Sequence, residues 1–149
     1  MSVEAAREVV RRCRMLAACS DEPGCTTRTF LSESMRKVHG MMAVWMTAAG
    51  MEVRVDPAGN LRGVYAGASR DARRLLVGSH LDTVPHAGAF DGVLGVVMGL
   101  SLVESLHGRR LPYGRWPRSD DKLQYIRTAS TLTRGRVRLP NPSHAPNGS

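Results

Sequence analysis

The residues best placed to do chemistry together are His80, Asp82 and Asp91, in the stretch VGSHLDTVPHAGAFDGVLGVV, residues 77–97. A neutral imidazole is a good zinc ligand. A carboxylate beside it can accept the other ring N–H, which fixes the tautomer and raises the basicity of the ligating nitrogen. Residues i and i+2 of an extended segment project to the same side, so His80 and Asp82 leave the end of a strand-like run together. Asp91 follows across TVPHAGAF, a loop short enough to fold back, and stands where a helix-like run begins. There it could reach a metal held by His80, or cap the helix. Taken singly, each residue has a plainer reading: a hydrogen-bonded histidine, a strand-end carboxylate, a helix cap. All three in this order, among the small residues Gly78, Ser79, Gly88 and Gly92, point to a metal site.

The surrounding elements must bring these groups together. Residues 3–18 have helical periodicity, with Val9, Val10, Cys13, Leu16 and Ala17 on one side. SDEPGCTT breaks that helix at Pro23 and Gly24. A second helix is expected over residues 31–49, capped by Ser32 or Thr29, with Met35, Val38, Met42, Trp45 and Met46 as a packing stripe. The period then drops to two: MEVRVD and LRGVYAG alternate as hairpin partners around the turn PAGN. LLVGSH is apolar on both faces, the pattern of an interior strand of a covered sheet. A helix returns over residues 91–106, with Gly92, Gly95 and Gly99 allowing close approach to the sheet. In open α/β sheets, ligands gather at the carboxyl ends of such strands. The order helix, helix, strand, strand, strand, helix suits an α/β domain seen from its start.

The chain has 149 residues and a formal net charge of +8. Up to Gly108 there are 12 Lys+Arg against 11 Asp+Glu; from Arg109 onward there are 9 against 2, so the excess sits in the last 41 residues. Three cysteines, Cys13, Cys19 and Cys25, are spaced six and six, which is no C-x-x-C pattern and fits reduced thiols better than a disulfide or a metal role. No apolar run approaches the roughly 20 residues of a membrane span. The first residues carry Glu4 and Glu8 and no apolar signal region, so a cytoplasmic protein is expected. From about Pro112 the patterning stops, and residues 112–149 are expected to form a basic, unstructured tail.

GSHLDTVPHAGAFDGVLGVV resembles the first metal-binding motif of the dinuclear zinc amidohydrolase and peptidase superfamily, most closely the allantoate amidohydrolase and N-carbamoyl-L-amino-acid hydrolase group. WMTAAGMEVRVDPAGNLRGVYAG and TTRTF are similar to upstream segments of the same group. The resemblance covers about residues 4–114. It implies that residues 1–111 are the N-terminal part of a zinc-peptidase-like α/β catalytic domain, helices packed on a mixed sheet, with a disordered C-terminal tail. By the same resemblance His80 binds one metal, Asp82 orients it as a catalytic residue, and Asp91 bridges two divalent ions, zinc or manganese. Metal-activated water would then hydrolyse a linear amide or ureido C–N bond in a small molecule such as allantoate or an N-carbamoyl amino acid, with a glutamate as general base. No residue is assigned to substrate.

The sequence also departs from that pattern. The family continues with a strand ending in Glu-Glu and, later, with further ligands and a domain through which it forms homodimers. Here no glutamate follows Glu104, and the only later acidic pair is Asp120-Asp121, preceded by GRWPRS. His144 reads as a tail residue, His86 and His107 as loop and helix-end residues, and His39 belongs to the second helix. The expectation is therefore a fragment with an incomplete site and no turnover of its own. A shifted reading frame near Gly114 in a G/C-rich gene would account for the change. The alternative function is a binding module, in which the basic tail holds nucleic acid or an acidic surface through its Lys and Arg; no motif supports specific nucleic-acid recognition.

Overall fold

A computed structural model describes residues 2–66, 73–106 and 121–128. Its elements run α1 (Val3–Ala17), α2 (Glu33–Ala48), β1 (Glu52–Val55), β2 (Leu61–Val64), β3 (Arg73–Ser79), α3 (Val93–Leu106) and β4 (Asp121–Thr128). The first six follow the expected order, with helix ends displaced by one or two residues. Serines start both N-terminal helices: the Ser2 hydroxyl accepts from the Ala5 amide at 3.2 Å, and Ser32 accepts from the Met35 amide at 3.1 Å, satisfying donors the helix itself cannot.

The helices bury one continuous core. Val9, Cys13 and Leu16 of α1 meet Met35, Val38, Met42 and Met46 of α2 and Val93, Val96, Val97, Leu100 and Val103 of α3. Val10, expected on the α1 stripe, is exposed; it lies one helical step away from the Val9, Cys13 and Leu16 row. Arg12 fastens all three helices. It pairs with Glu8 at 2.7 Å and Glu104 at 2.8 Å, and its guanidinium lies 5.1 Å from the centre of the Trp45 ring.

The sheet has the order β1-β2-β4-β3. β1 and β2 form an antiparallel hairpin with Val53 opposite Gly63, closed by Asp56, whose carboxylate accepts from the Ala58 and Asn60 amides at 3.0 Å each. Those bonds, the Asn60 side chain foremost, hold the Asp56 carboxyl below its ordinary range. β4 is antiparallel to β2 and parallel to β3, so the sheet is mixed and α3 is the crossover from β3 to β4.

Within the segment 112–149, expected to form an unstructured tail, residues 121–128 run as β4 between β2 and β3. The short alternation in KLQY is masked in the sequence by the Arg and Pro around it, and backbone pairing between two open edges does not demand a particular side-chain sequence. The rest of that segment, with Asp120 and His144, lies outside the described residues, as does His107 before it. β3 was expected inside a covered sheet; among the described residues it is an edge strand, with Leu75 and Leu76 exposed at 47% and 66%. An apolar strand pattern shows that a face wants covering, not which residues cover it. No helix among the described residues is long and apolar enough to cross a membrane.

Candidate functional site

His80, Asp82 and Asp91 converge. His80 follows the last residue of β3, and Asp91 stands two residues before α3, so the strand end and the helix start face each other across the 80–92 loop. His80 Nδ1 lies 2.7 Å from the backbone carbonyl of Asp82 and 3.8 Å from its carboxylate. A carbonyl only accepts, so the proton belongs on Nδ1 and the lone pair on Nε2. That nitrogen points toward Asp91, with Oδ1 at 3.9 Å. The orienting partner of the imidazole is thus the carbonyl of Asp82 rather than its carboxylate, because the chain bends after β3 instead of continuing extended.

Gly92 makes this approach possible. Its φ is +64°, in the left-handed region, and a Cβ there would run into the His80 ring and the His80 carbonyl. Glycine alone satisfies both the backbone angle and the space. Gly95 similarly lets α3 settle against Ser79, whose Cβ would be only 2.8 Å from an added methyl.

The strand end is anchored from below by Arg28, which sequence reasoning noted only as part of TTRTF. Arg28 is fully buried. Its Nε donates to the Leu81 carbonyl at 2.7 Å, and Nη1 donates to the carbonyls of Leu16 at 2.9 Å and Cys19 at 2.7 Å. Its backbone amide donates to Thr83 Oγ1, and the Thr83 amide returns a bond to the Arg28 carbonyl, both at 2.8 Å. One residue, through its side chain and backbone, therefore ties α1, the α1–α2 segment and residues 81–83 together. Burial lowers the Arg28 pKa, opposed by the negative charges of neighbours that include Asp82. An arginine within TTRTF was the one available sequence signal, and it discloses neither its burial nor the carbonyls it serves.

Two atoms in this region are buried with no hydrogen-bond partner: Arg28 Nη2 and Asp82 Oδ1. A buried unsatisfied polar atom costs about 1–3 kcal/mol, more when charged, so each calls for a water or an ion. The donor set fits a metal in part. An ion about 2.0–2.2 Å from each of two ligands can span His80 Nε2 and Asp91 Oδ1. Among the described residues no third His, Cys, Asp or Glu joins that pair to complete a cluster.

No family model matches the chain. It is 44% identical over 100 residues to "Allantoate deiminase 1" of Glycine max, covering 67% of this chain and 21% of that protein. It is 42% identical over 84 residues to "N-carbamoyl-L-amino acid amidohydrolase" of Geobacillus stearothermophilus, covering 56% and 20%. The structure matches a hydantoinase/carbamoylase family amidase from Burkholderia ambifaria with a TM-score of 0.69 and 36% identity, over 83% of this chain and 29% of that one. The chain spans about a fifth of the length of the curated relatives it matches.

Proposed function

We propose that this chain, a homologue of part of the allantoate deiminases and N-carbamoyl-L-amino acid amidohydrolases with the fold of a hydantoinase/carbamoylase family amidase, carries half of the metal site of a hydrolase. The bond cleaved is a linear amide or ureido C–N bond, in allantoate or an N-carbamoyl amino acid. The single observation that carries this reading is the meeting of His80 Nε2 and Asp91 at the β3 end, in a segment so similar to those relatives.

His80 and Asp91 would hold the metal, zinc or manganese by their donor chemistry. When bound, such ions polarise a water and the substrate carbonyl. The chain's own residues prepare for that. The Asp82 carbonyl holds the Nδ1 proton and so keeps the Nε2 lone pair available. The Asp82 carboxylate lies 3.8 Å from the ring, on the Nδ1 side and away from the Nε2 lone pair. Arg28 and Gly92 fix the distance between strand end and helix start.

Among the described residues no third ligating side chain clusters with His80 and Asp91, and the isolated chain is proposed to lack the general base and to turn nothing over. The intact hydrolase is proposed to be a cytoplasmic homodimer, and residues 112–149 to be read out of frame. Translating the gene in its other two frames past Gly114 tests the last point; the absence of an apolar strand followed by Glu-Glu rejects it.

The functional test is a graft. Residues 1–106 replace the matching segment of a working N-carbamoyl-L-amino acid amidohydrolase, and ammonia release is measured with zinc or manganese. Activity that disappears in His80→Ala and Asp91→Ala is expected, whereas Asp82→Asn, which keeps the backbone carbonyl that holds Nδ1, should retain most of it. Activity indifferent to His80→Ala overturns the assignment. The 149-residue chain alone should release no ammonia above the metal blank; robust release abolished by His80→Ala overturns the proposal that it is inactive.

A further inference from the structure

Midway along the loop that joins His80 to Asp91, a second group of ligating side chains comes together. Glu22 and Cys25 lie on the α1–α2 segment, separated by the Pro23–Gly24 turn in which Gly24 takes φ +77°. His86 lies on the β3–α3 loop. Cys25 Sγ is 3.3 Å from Glu22 Oε2, and His86 Nε2 is 3.4 Å from the same oxygen. A ligand atom from each of the three residues lies within 4.8 Å of the other two. Ligands bound tetrahedrally at about 2.0–2.3 Å from zinc lie roughly 3.4–3.6 Å from one another. Two of the three edges already have nearly that length.

The two segments are held in register by the backbone. The Ala87 amide donates to the Thr26 carbonyl at 3.0 Å, and the His86 amide donates to Thr27 Oγ1 at 3.1 Å. Beyond them, Arg28 and Thr83 exchange the paired bonds described above. The ligand-bearing positions are therefore set by the fold before any ion arrives. Partial burial and then the adjacent Glu22 carboxylate push the Cys25 thiol above its usual range. A cation between the two groups reverses that effect, because coordination deprotonates a thiol.

We propose that Glu22, Cys25 and His86 form a second divalent-metal site, distinct from the His80 pair, with a fourth position open to water. A thiolate and an imidazole select a zinc-type ion over magnesium or calcium. Its role is structural: the ion clips the α1–α2 segment onto the middle of the loop whose two ends carry His80, Asp82 and Asp91.

The test uses the 149-residue chain, stripped of metal, kept reduced and titrated with Co2+. The expected result is a near-ultraviolet thiolate-to-cobalt band, displaced by Zn2+ and retained in His80→Ala. The band should vanish in Cys25→Ser. In His86→Ala the affinity should fall by at least the about 10–100-fold that losing even an outer partner of a metal ligand costs. Absence of the band, or its survival in Cys25→Ser, overturns the proposal, since Cys13 or Cys19 would then be the ligand or no site exists. A second readout is alkylation mapped by peptide, with Cys13 and Cys19 as internal references. Zn2+ should protect Cys25 selectively, and that protection should be lost in His86→Ala. Protection that is equal in His86→Ala, as in a chain that does not hold this fold, also overturns it.

Discussion

The two ends of the β3–α3 loop and its middle gather metal-type ligands in different ways. At the ends, His80 and Asp91 are positioned by the core: a fully buried arginine holds residues 81–83, and a glycine lets the helix start press against the imidazole. In the middle, His86 and Glu22 are exposed, and the chain is held by a few backbone bonds to a neighbouring segment. Damage to the first arrangement must therefore disturb the fold. Damage to the second should leave the fold nearly intact and alter only what binds. Buried groups that lose a partner carry the full desolvation penalty, whereas exposed ones exchange it for water.

The largest effect should come from Arg28→Ala, which removes the buried donors to the carbonyls of Leu81, Leu16 and Cys19 and leaves a side-chain-sized void. A loss of about 4 kcal/mol or more in denaturant unfolding is expected; a loss below about 1 kcal/mol would remove the distinction between the two regions. Gly92→Ala comes next, at about 3 kcal/mol, from the left-handed backbone and the collision with His80 together. Its amide signals around His80 should shift even where the chain stays folded, and an undisturbed His80 would show that the close approach is not required.

Acid stability offers a smaller and more graded comparison. Desolvation tends to raise the Asp21 pKa, but bonds from Ser34, Thr29 and Ser32 outweigh it and bring the pKa to about 2. A carboxylate with a folded pKa below its unfolded value stabilises the fold above the unfolded pKa and loses that contribution as pH falls through the folded one. Stability should thus decline between about pH 4 and pH 2. Asp21→Asn should flatten that decline and cost about 1 kcal/mol at pH 7, as loss of a cap does. An unchanged acid profile would show that Asp21 does not fasten this segment. The smallest effect should be that of Cys25→Ser in metal-free chain, within about 0.5 kcal/mol of the parent, since the half-buried thiol lies outside the core. Leu76→Lys on the exposed edge strand should be similarly neutral in stability while reducing aggregation, since an edge lysine discourages strand addition; light scattering of the two chains at equal concentration checks it.

Much of the fold was readable in order because periodicity is a local property. The stripe Met35, Val38, Met42, Met46 announced α2, the alternation in MEVRVD announced β1, and Ser32 marked where α2 begins. The core positions named from α2 are buried in the structure except for the half-buried Trp45. Of the candidate site, the sequence offered the three residues, and the structure brings His80 and Asp91 to within 3.9 Å. Their orienting contact was not readable, because it depends on how the chain bends after Ser79 and turns the ring onto the carbonyl of Asp82. β4 was missed because the pattern that marks it is four residues long and lies among Arg and Pro.

By itself the sequence determined which residues were able to ligate, which helix faces were apolar, and that a glycine-rich helix start would press on a strand end. Those are statements about neighbours in the chain, where the allowed angles and side-chain types decide the outcome. The tertiary structure alone decided that Arg28 would serve carbonyls from three segments, that β3 would lie at a sheet edge among the described residues, and that His86 would come to rest against Glu22, 64 residues earlier in the chain. Contacts of that kind are selected by the packing of the whole core, and no spacing within either loop encodes them.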